Sequence, residues 1–448
     1  MLLSAVRSAV SSAVQSMIGT GLQPTFNLVF AGATALDQRV TFTRSTTTTR
    51  VNASGVIESV AIDTPRFDYD PVTLAPKGLL IEEQRTNLAV QSNAFTTTWL
   101  ASDVTLTSGA TVSPDGTANA WLLADTAANA FHNITQPIAW TAAAYTFSVY
   151  AKFNTHRWIS ARIGAAGNQF FGSWDLQNGV VGSATAGATV QMQNAGNGWY
   201  RLTLTATLST AGNANLLIQL TNTDSTSLVS YTGTATGSWI YGAQLEAGAF
   251  ATSYIPTTTA AATRAADVAS VTGANFSSWY NQTEGTTLVE TATLPNVTAA
   301  ALTHAISDGT FNQSIYGNFN AGNLYIGANV LNSGVNQASG IGSFSITAST
   351  NTTKDAFAYK QNNFGESCNG ATPKTDSTGT VPTVDRLYIG TNWAGAGNFL
   401  NGHIRSFKYY PTRLSNETLQ SLTFAFASDS WLFNAPEQSG HLLTSGLL

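Results

Sequence analysis

"YTFSVYAKF", Tyr145 to Phe153, decides the fold. Tyr145, Phe147, Val149, Ala151 and Phe153 alternate with smaller or polar residues, the period-two pattern of a strand that buries one face. Runs of the same length recur on both sides: "WISARIG", "QFFGSWDL", "GWYRLTLTATL" and "ANLLIQLTN" between about 95 and 255, then "GTTLVETATL", "NLYIGANV", "DRLYIGTNW" and "GHIRSFKYYP". Turn residues separate them at short intervals, as in antiparallel sandwiches. The expected fold is all-β: two antiparallel β-sandwiches (jelly rolls) in tandem, preceded by a short N-terminal helix and an extended connector. The divisions fall at 1–94 (helix and connector), 95–256 (first sandwich), 257–273 (linker), 274–424 (second sandwich) and 425–448 (tail).

The helix is expected over about 3–18, where Leu3, Val6, Val10, Ala13 and Met17 lie three and four apart and Gly19 offers a stop. Such a short stripe is marginal alone. Its expected role is attachment or oligomerisation, against copies of itself or a larger assembly, with packing on the chain's own first β-domain as the alternative. "TTTAAATRAADVASVTG", Thr257 to Gly273, is small and polar and reads as the linker. "TRLSNETLQSLT" reads as a short closing helix behind a capping Ser415, with Thr418 three residues on. In the tail, Trp431 and Phe433 are expected to make packing or inter-chain contacts.

Composition narrows the function. The 448 residues are 43% hydrophobic, enough for real cores, and only 10% charged, with a formal net charge of -5. Without a Lys/Arg run, neither a phosphate-tracking surface nor a nucleic-acid partner is expected. No apolar run is long enough to span a bilayer, and Arg7 among early apolar residues disfavours a signal peptide. One cysteine, Cys368, and five scattered histidines make neither a disulfide framework nor a zinc motif, so no metal or cofactor is expected.

Against this sparse background, "TPRFDYDPVTLAPKGLLIEEQRTNL", Thr64 to Leu88, gathers Arg66, Asp68, Asp70, Lys77, Glu82, Glu83 and Arg85. Leu79, Leu80 and Ile81 read as an apolar strand. Arg66, Asp68, Glu82, Glu83 and Arg85 are then expected to form an ion-pair cluster, Glu83 with Arg85 or Asp68 with Arg66, that fixes register more than it stabilises. Glu82 and Glu83 point to opposite faces of a strand, which argues against a pair of catalytic carboxylates.

"FTRSTTTTRVNASGVIESVAIDTPRFDYDPVTLAPKGLLIEEQRTNL" resembles a recurring module of bacteriophage head-fibre, head-spike and tail-fibre proteins. "YGAQLEAGAFATSYIPT" resembles the close of a carbohydrate-binding-module-like jelly roll, and "HIRSFKYYPTRLSNETLQSLT" that of a concanavalin-A-like or laminin-G-like one. The resemblance spans roughly residues 40 to 425. It implies a structural or receptor-facing protein on the surface of the virion, commonly a trimer. Its partners would be other virion proteins (capsid, portal, collar or tail) and host cell-surface polysaccharide.

A non-enzymatic role is expected, with a receptor-binding adhesin or a polysaccharide depolymerase as alternatives. The E-x-D-x-x-E cluster of concanavalin-A-like glucanases is missing, and Glu284, Glu290, Asp308, Asp355 and Glu366 stand isolated along the chain. Cys368 reads as a free thiol in a loop. For glycan contact the candidates pair an aromatic platform with a polar neighbour: Trp174 with Asp175, and Trp393 with Asn392 in the glycine-rich "GTNWAGAGNF". No Asp-rich loop offers calcium a set of oxygens.

Overall fold

A computed structural model describes residues 23–109, 111–292, 300–320, 325–338, 341–345 and 352–424. Leu3, Val6, Val10 and Met17, together with Trp431, Phe433 and the rest of the tail, lie outside these described residues. Within them the chain is nearly all β, with two short helices, Ala274–Ser277 and Asn416–Thr423. The second helix begins as its sequence requires, with the Ser415 side chain accepting a hydrogen bond from the Thr418 N–H.

The first sandwich packs two six-stranded sheets. Ala144–Phe153 runs through the centre of one, between Trp199–Thr207 and Gly237–Ala247, and Trp158–Ile163 and Gly212–Thr221 are neighbours at the centre of the other. The alternation of the opening stretch fits this placement: Phe147, Val149 and Ala151 lie in a core with Trp174, Leu204, Ile218 and Leu245. The strand is nevertheless buried on both faces, since Tyr150 packs outward with Trp199, Tyr241 and Tyr254.

The second sandwich is built differently from the expectation. Its central strand Gly402–Tyr410 pairs on one edge with Glu284–Ala292. On its other edge it takes two strands from the start of the chain, Phe26–Val29 beside Ser406–Tyr409 and Pro76–Ile81 beside Gly402–Ile404. Thr41–Thr43 likewise joins the facing sheet through Val268–Thr272. The supposed connector (26–94) and linker (257–273) are therefore largely parts of sheets, and the two sandwiches are not in simple tandem. The first is inserted into a loop of the second. The physical reason is visible in the early segment: Phe26, Leu28, Phe30, Phe42, Phe67, Leu79 and Ile81 enter the second core, while the residues between them, such as Asn27, Val29 and Leu80, point away from it. Burial of each such side chain contributes about 1.5–3 kcal/mol, more than a short polar connector has available for staying free.

The chain leaves for the insertion at Arg85–Asn87 and returns at Ala262–Arg264, and these two short strands pair antiparallel, Arg85 beside Arg264 and Asn87 beside Ala262. Asn87 consolidates this neck: its amide donates to the carbonyls of Ala243 and Ile255, and its side-chain oxygen accepts from the Leu245 N–H.

Gly78 lets the strand Pro76–Ile81 press against its neighbour. Its φ is +109°, and a Cβ there would run into the Ile404 carbonyl. Gly78→Ala is expected to destabilise the protein by about 1–3 kcal/mol, read as a lowered urea midpoint with an unchanged m-value.

Candidate functional site

The charges singled out in Thr64–Leu88 meet at the neck, in company the sequence did not announce. Arg66 is fully buried and donates from Nη1 to Glu82 Oε2 at 2.7 Å and from Nη2 to Asp267. Arg264 reaches the same Glu82 oxygen at 2.7 Å, and Arg44 reaches Asp267 at 3.0 Å. Ser253 donates to both Glu82 oxygens, through its N–H at 2.8 Å and its hydroxyl at 2.7 Å. The backbones of Glu82 and Asp267 also exchange N–H donors: Glu82 N–H to the Asp267 carboxylate, and Asp267 N–H to the Glu82 carbonyl. With buried Glu246 beside Arg264, three guanidinium groups face three carboxylates.

Each charge there depends on the others. Burial alone would raise the Glu82 carboxyl, but Arg264 and Arg66 outweigh it and hold it well below the usual range. Burial works against the charge on Arg66 too, and the carboxylates of Asp267 and Glu82 overcome it. Of the expected pairs, Glu83 with Arg85 forms, at 2.5 Å. Asp68 does not pair with Arg66; it accepts from His403 Nε2 and from the Val51 N–H, both at 2.7 Å. Those donors, with Lys77 nearby, outweigh burial and hold the Asp68 carboxyl low, whereas burial and Lys77 push the His403 pKa down. Arg264 and Asp267 were missed because Thr257–Gly273 read as a linker, and Arg44 because it stands outside the Thr64–Leu88 gathering of charge. The signal was present: Arg264 and Asp267 are isolated charges in a chain that carries few.

The glycan candidates part company. Trp174 is 1% exposed, fills the first core and donates from its indole N–H to the Gln191 carbonyl. Asp175 is buried, takes Arg157 at 2.7 Å and caps its own turn through the N–H groups of Gln177 and Asn178. Neither presents an exposed face. Trp393 does. It is half-buried beside Phe311 and Tyr316, with ring centroids 4.6 and 5.8 Å away, and Phe311 is 41% exposed. Asn392 holds the loop in shape: its side-chain oxygen accepts from the N–H groups of Ala394 and Ala396. The Ser307 hydroxyl donates to the Trp393 carbonyl, tying the loop to the sheet. Phe311 and Tyr316 escaped the sequence reading because they lie some eighty residues from Trp393.

Two of the acids that stand isolated in sequence do meet. Asp355 and Glu366 lie on adjacent strands of the core, 2% and 0% exposed, close enough for each to affect the other's ionisation. Burial pushes the Asp355 carboxyl up to about 7, and burial with Asp355 beside it pushes Glu366 well above the carboxylate range. Sealed between two sheets, the pair is out of reach of a polymer. Cys368, directly opposite Asp355, is a buried strand residue and not a loop thiol, because Phe364, Glu366 and Cys368 share the inward face.

The chain matches no family model and no curated protein. Among solved structures it is similar to the carbohydrate-binding module of the Ruminococcus gnavus IT-sialidase bound to alpha2,3 sialyllactose, at 14% identity over 33% of this chain and 87% of that one, with a TM-score of 0.27. It is also similar to domains LG4-5 of the mouse laminin alpha1 chain (10% identity, 64% of this chain, 84% of that one, TM-score 0.21). Trypanosoma rangeli sialidase is a third, at 10% identity over 86% of this chain and 77% of that one, with a TM-score of 0.27. No ligand or activity is carried over from them.

Two opposite responses to pH follow. Glu82 has a folded pKa below its ordinary 4.5, so its contribution is present above pH 4.5 and is lost as pH falls through the folded value. Urea midpoints of the native protein should therefore drop below pH 4.5. Glu82→Gln should start lower at pH 7, by about 3–5 kcal/mol, and show a flatter acid limb. Glu366 has a raised folded pKa, so its unfolded form ionises first and stability falls as pH rises above 4.5. Glu366→Gln is expected to raise the midpoint at pH 8 more than at pH 4.

Proposed function

We propose that this chain is a non-enzymatic bacteriophage virion protein of the head-fibre, spike or tail-fibre kind. Its N-terminal region attaches it to the particle as a homotrimer, and its two sandwiches project outward to meet host surface glycans. The virion assignment draws on the resemblance of the Thr64–Leu88 stretch and its flanks to modules of such proteins. The glycan role rests on one observation, the half-exposed aromatic cluster of Phe311, Tyr316 and Trp393, with Trp393 on a loop ordered by Asn392.

The cluster suits a sugar for a plain reason. Aromatic faces take up the C–H faces of a pyranose, and a loop already ordered by Asn392 and Ser307 loses little entropy when it binds. The neck serves the same role from a distance. It ties the sandwich that carries the cluster to the inserted one.

On a glycan array the intact protein should retain a subset of bacterial surface saccharides. Trp393→Ala should weaken that retention at least tenfold, about 1.4 kcal/mol, while leaving the urea midpoint nearly unchanged. A silent array, with the protein located in a particle reconstruction, would leave the structural role and remove the adhesive one. Release of reducing sugar from host polysaccharide would favour a depolymerase instead.

A further inference from the structure

Where the inserted sandwich meets the one that carries it, a cleft of about 620 Å3 opens, within the range of small-molecule sites. One wall is the outer face of the inserted sandwich, presenting Tyr150, Gln193 and Arg201. The other holds Lys77 and His403, with Phe250 from the returning chain. It is separate from the Trp393 cluster, none of whose residues line it.

Its charges are unequally satisfied. The carboxylates on its walls are committed: Glu82 to Arg66, Arg264 and Ser253, and Asp68 to His403 and the Val51 N–H. Two of its cations are not. Arg201 makes no ion pair among the described residues. One terminal nitrogen donates to the Ser148 hydroxyl at 2.9 Å, the guanidinium lies 5.5 Å from the centre of the Tyr150 ring, and the Nε–H is buried without an acceptor. Lys77 is 3.9 Å from an Asp68 oxygen that His403 already holds at 2.7 Å, and its side chain is 30% exposed. A guanidinium and an ammonium with donors to spare call for an anion, and the planar guanidinium suits a carboxylate. The remaining lining, aromatic rings beside amide and hydroxyl groups, suits a ligand with both C–H faces and hydroxyls.

We infer that this cleft binds a carboxylated saccharide, its carboxylate held by Arg201 and Lys77 and its ring against Phe250. Such a ligand would touch both sandwiches and the early strands at once. Binding would therefore be sensitive to how the two bodies sit, which the Trp393 cluster, carried by one sandwich, is not.

The test is titration calorimetry on the full chain with two acidic probes, digalacturonate and N-acetylneuraminate, against neutral lactose. At least one acidic probe should bind while lactose does not, more weakly at high salt. Arg201→Gln should lose at least tenfold in affinity and Lys77→Gln a smaller factor, both with native urea midpoints, and Trp393→Ala should bind as the native protein does. The inference is overturned if neither acidic probe binds up to about 10 mM, if lactose binds equally well, or if both charge variants fold and bind unchanged. A fall in acidic-probe binding on Trp393→Ala alone would move the site to the aromatic cluster and equally end it.

Discussion

Everything in this molecule turns on a buried cluster of charges at a crossing point. Arg44, Arg66 and Arg264 face Glu82, Asp267 and Glu246 where the chain leaves one sandwich, makes another and comes back. Removing so many charges from water is expensive, and apolar side chains of similar volume would often be at least as stable. What the charges add is discrimination. A guanidinium accepts few geometries, so strands drawn from residues 44, 66, 82, 264 and 267 can meet in one arrangement and in no slipped version of it. Two β-rich bodies with abundant strand edges need such a constraint, because edges pair readily with wrong partners.

The same crossing organises both places where the surface offers chemistry. The aromatic loop belongs wholly to the carrying sandwich, where Asn392 folds it and Ser307 fastens it. The cleft belongs to neither body alone. Among the described residues Arg201 has no ion pair and Lys77 has only a shared Asp68 oxygen, because Glu82 is drawn into the neck and Asp68 is held by His403. An arrangement that serves folding thus leaves positive potential at its margin.

Local features were legible in the sequence; partnerships were not. Alternation in Tyr145–Phe153 announced a strand, and Ser415 with Thr418 announced a helix start, because both depend on neighbours within a few residues. The gathering of charge around Arg66 and Glu82 was visible as a departure from composition. The insertion was not, since nothing local tells Phe26–Val29 that its partner is Ser406–Tyr409, at the far end of the sequence. Arg264 and Asp267 hid among alanines and threonines whose plainness suggested a tether. Trp174 and Trp393 looked alike as letters. They differ because one faces inward on a strand beside Gly172, whose missing Cβ leaves the indole room, and the other sits on a loop.

The paired strands Arg85–Asn87 and Ala262–Arg264 place the exit and re-entry of the inserted sandwich side by side. A body whose two ends are adjacent is a cassette: it can be removed or exchanged for another of like spacing while the surrounding sheets close over the same gap. The ring of arginines and acids is then the fitting that any replacement has to match.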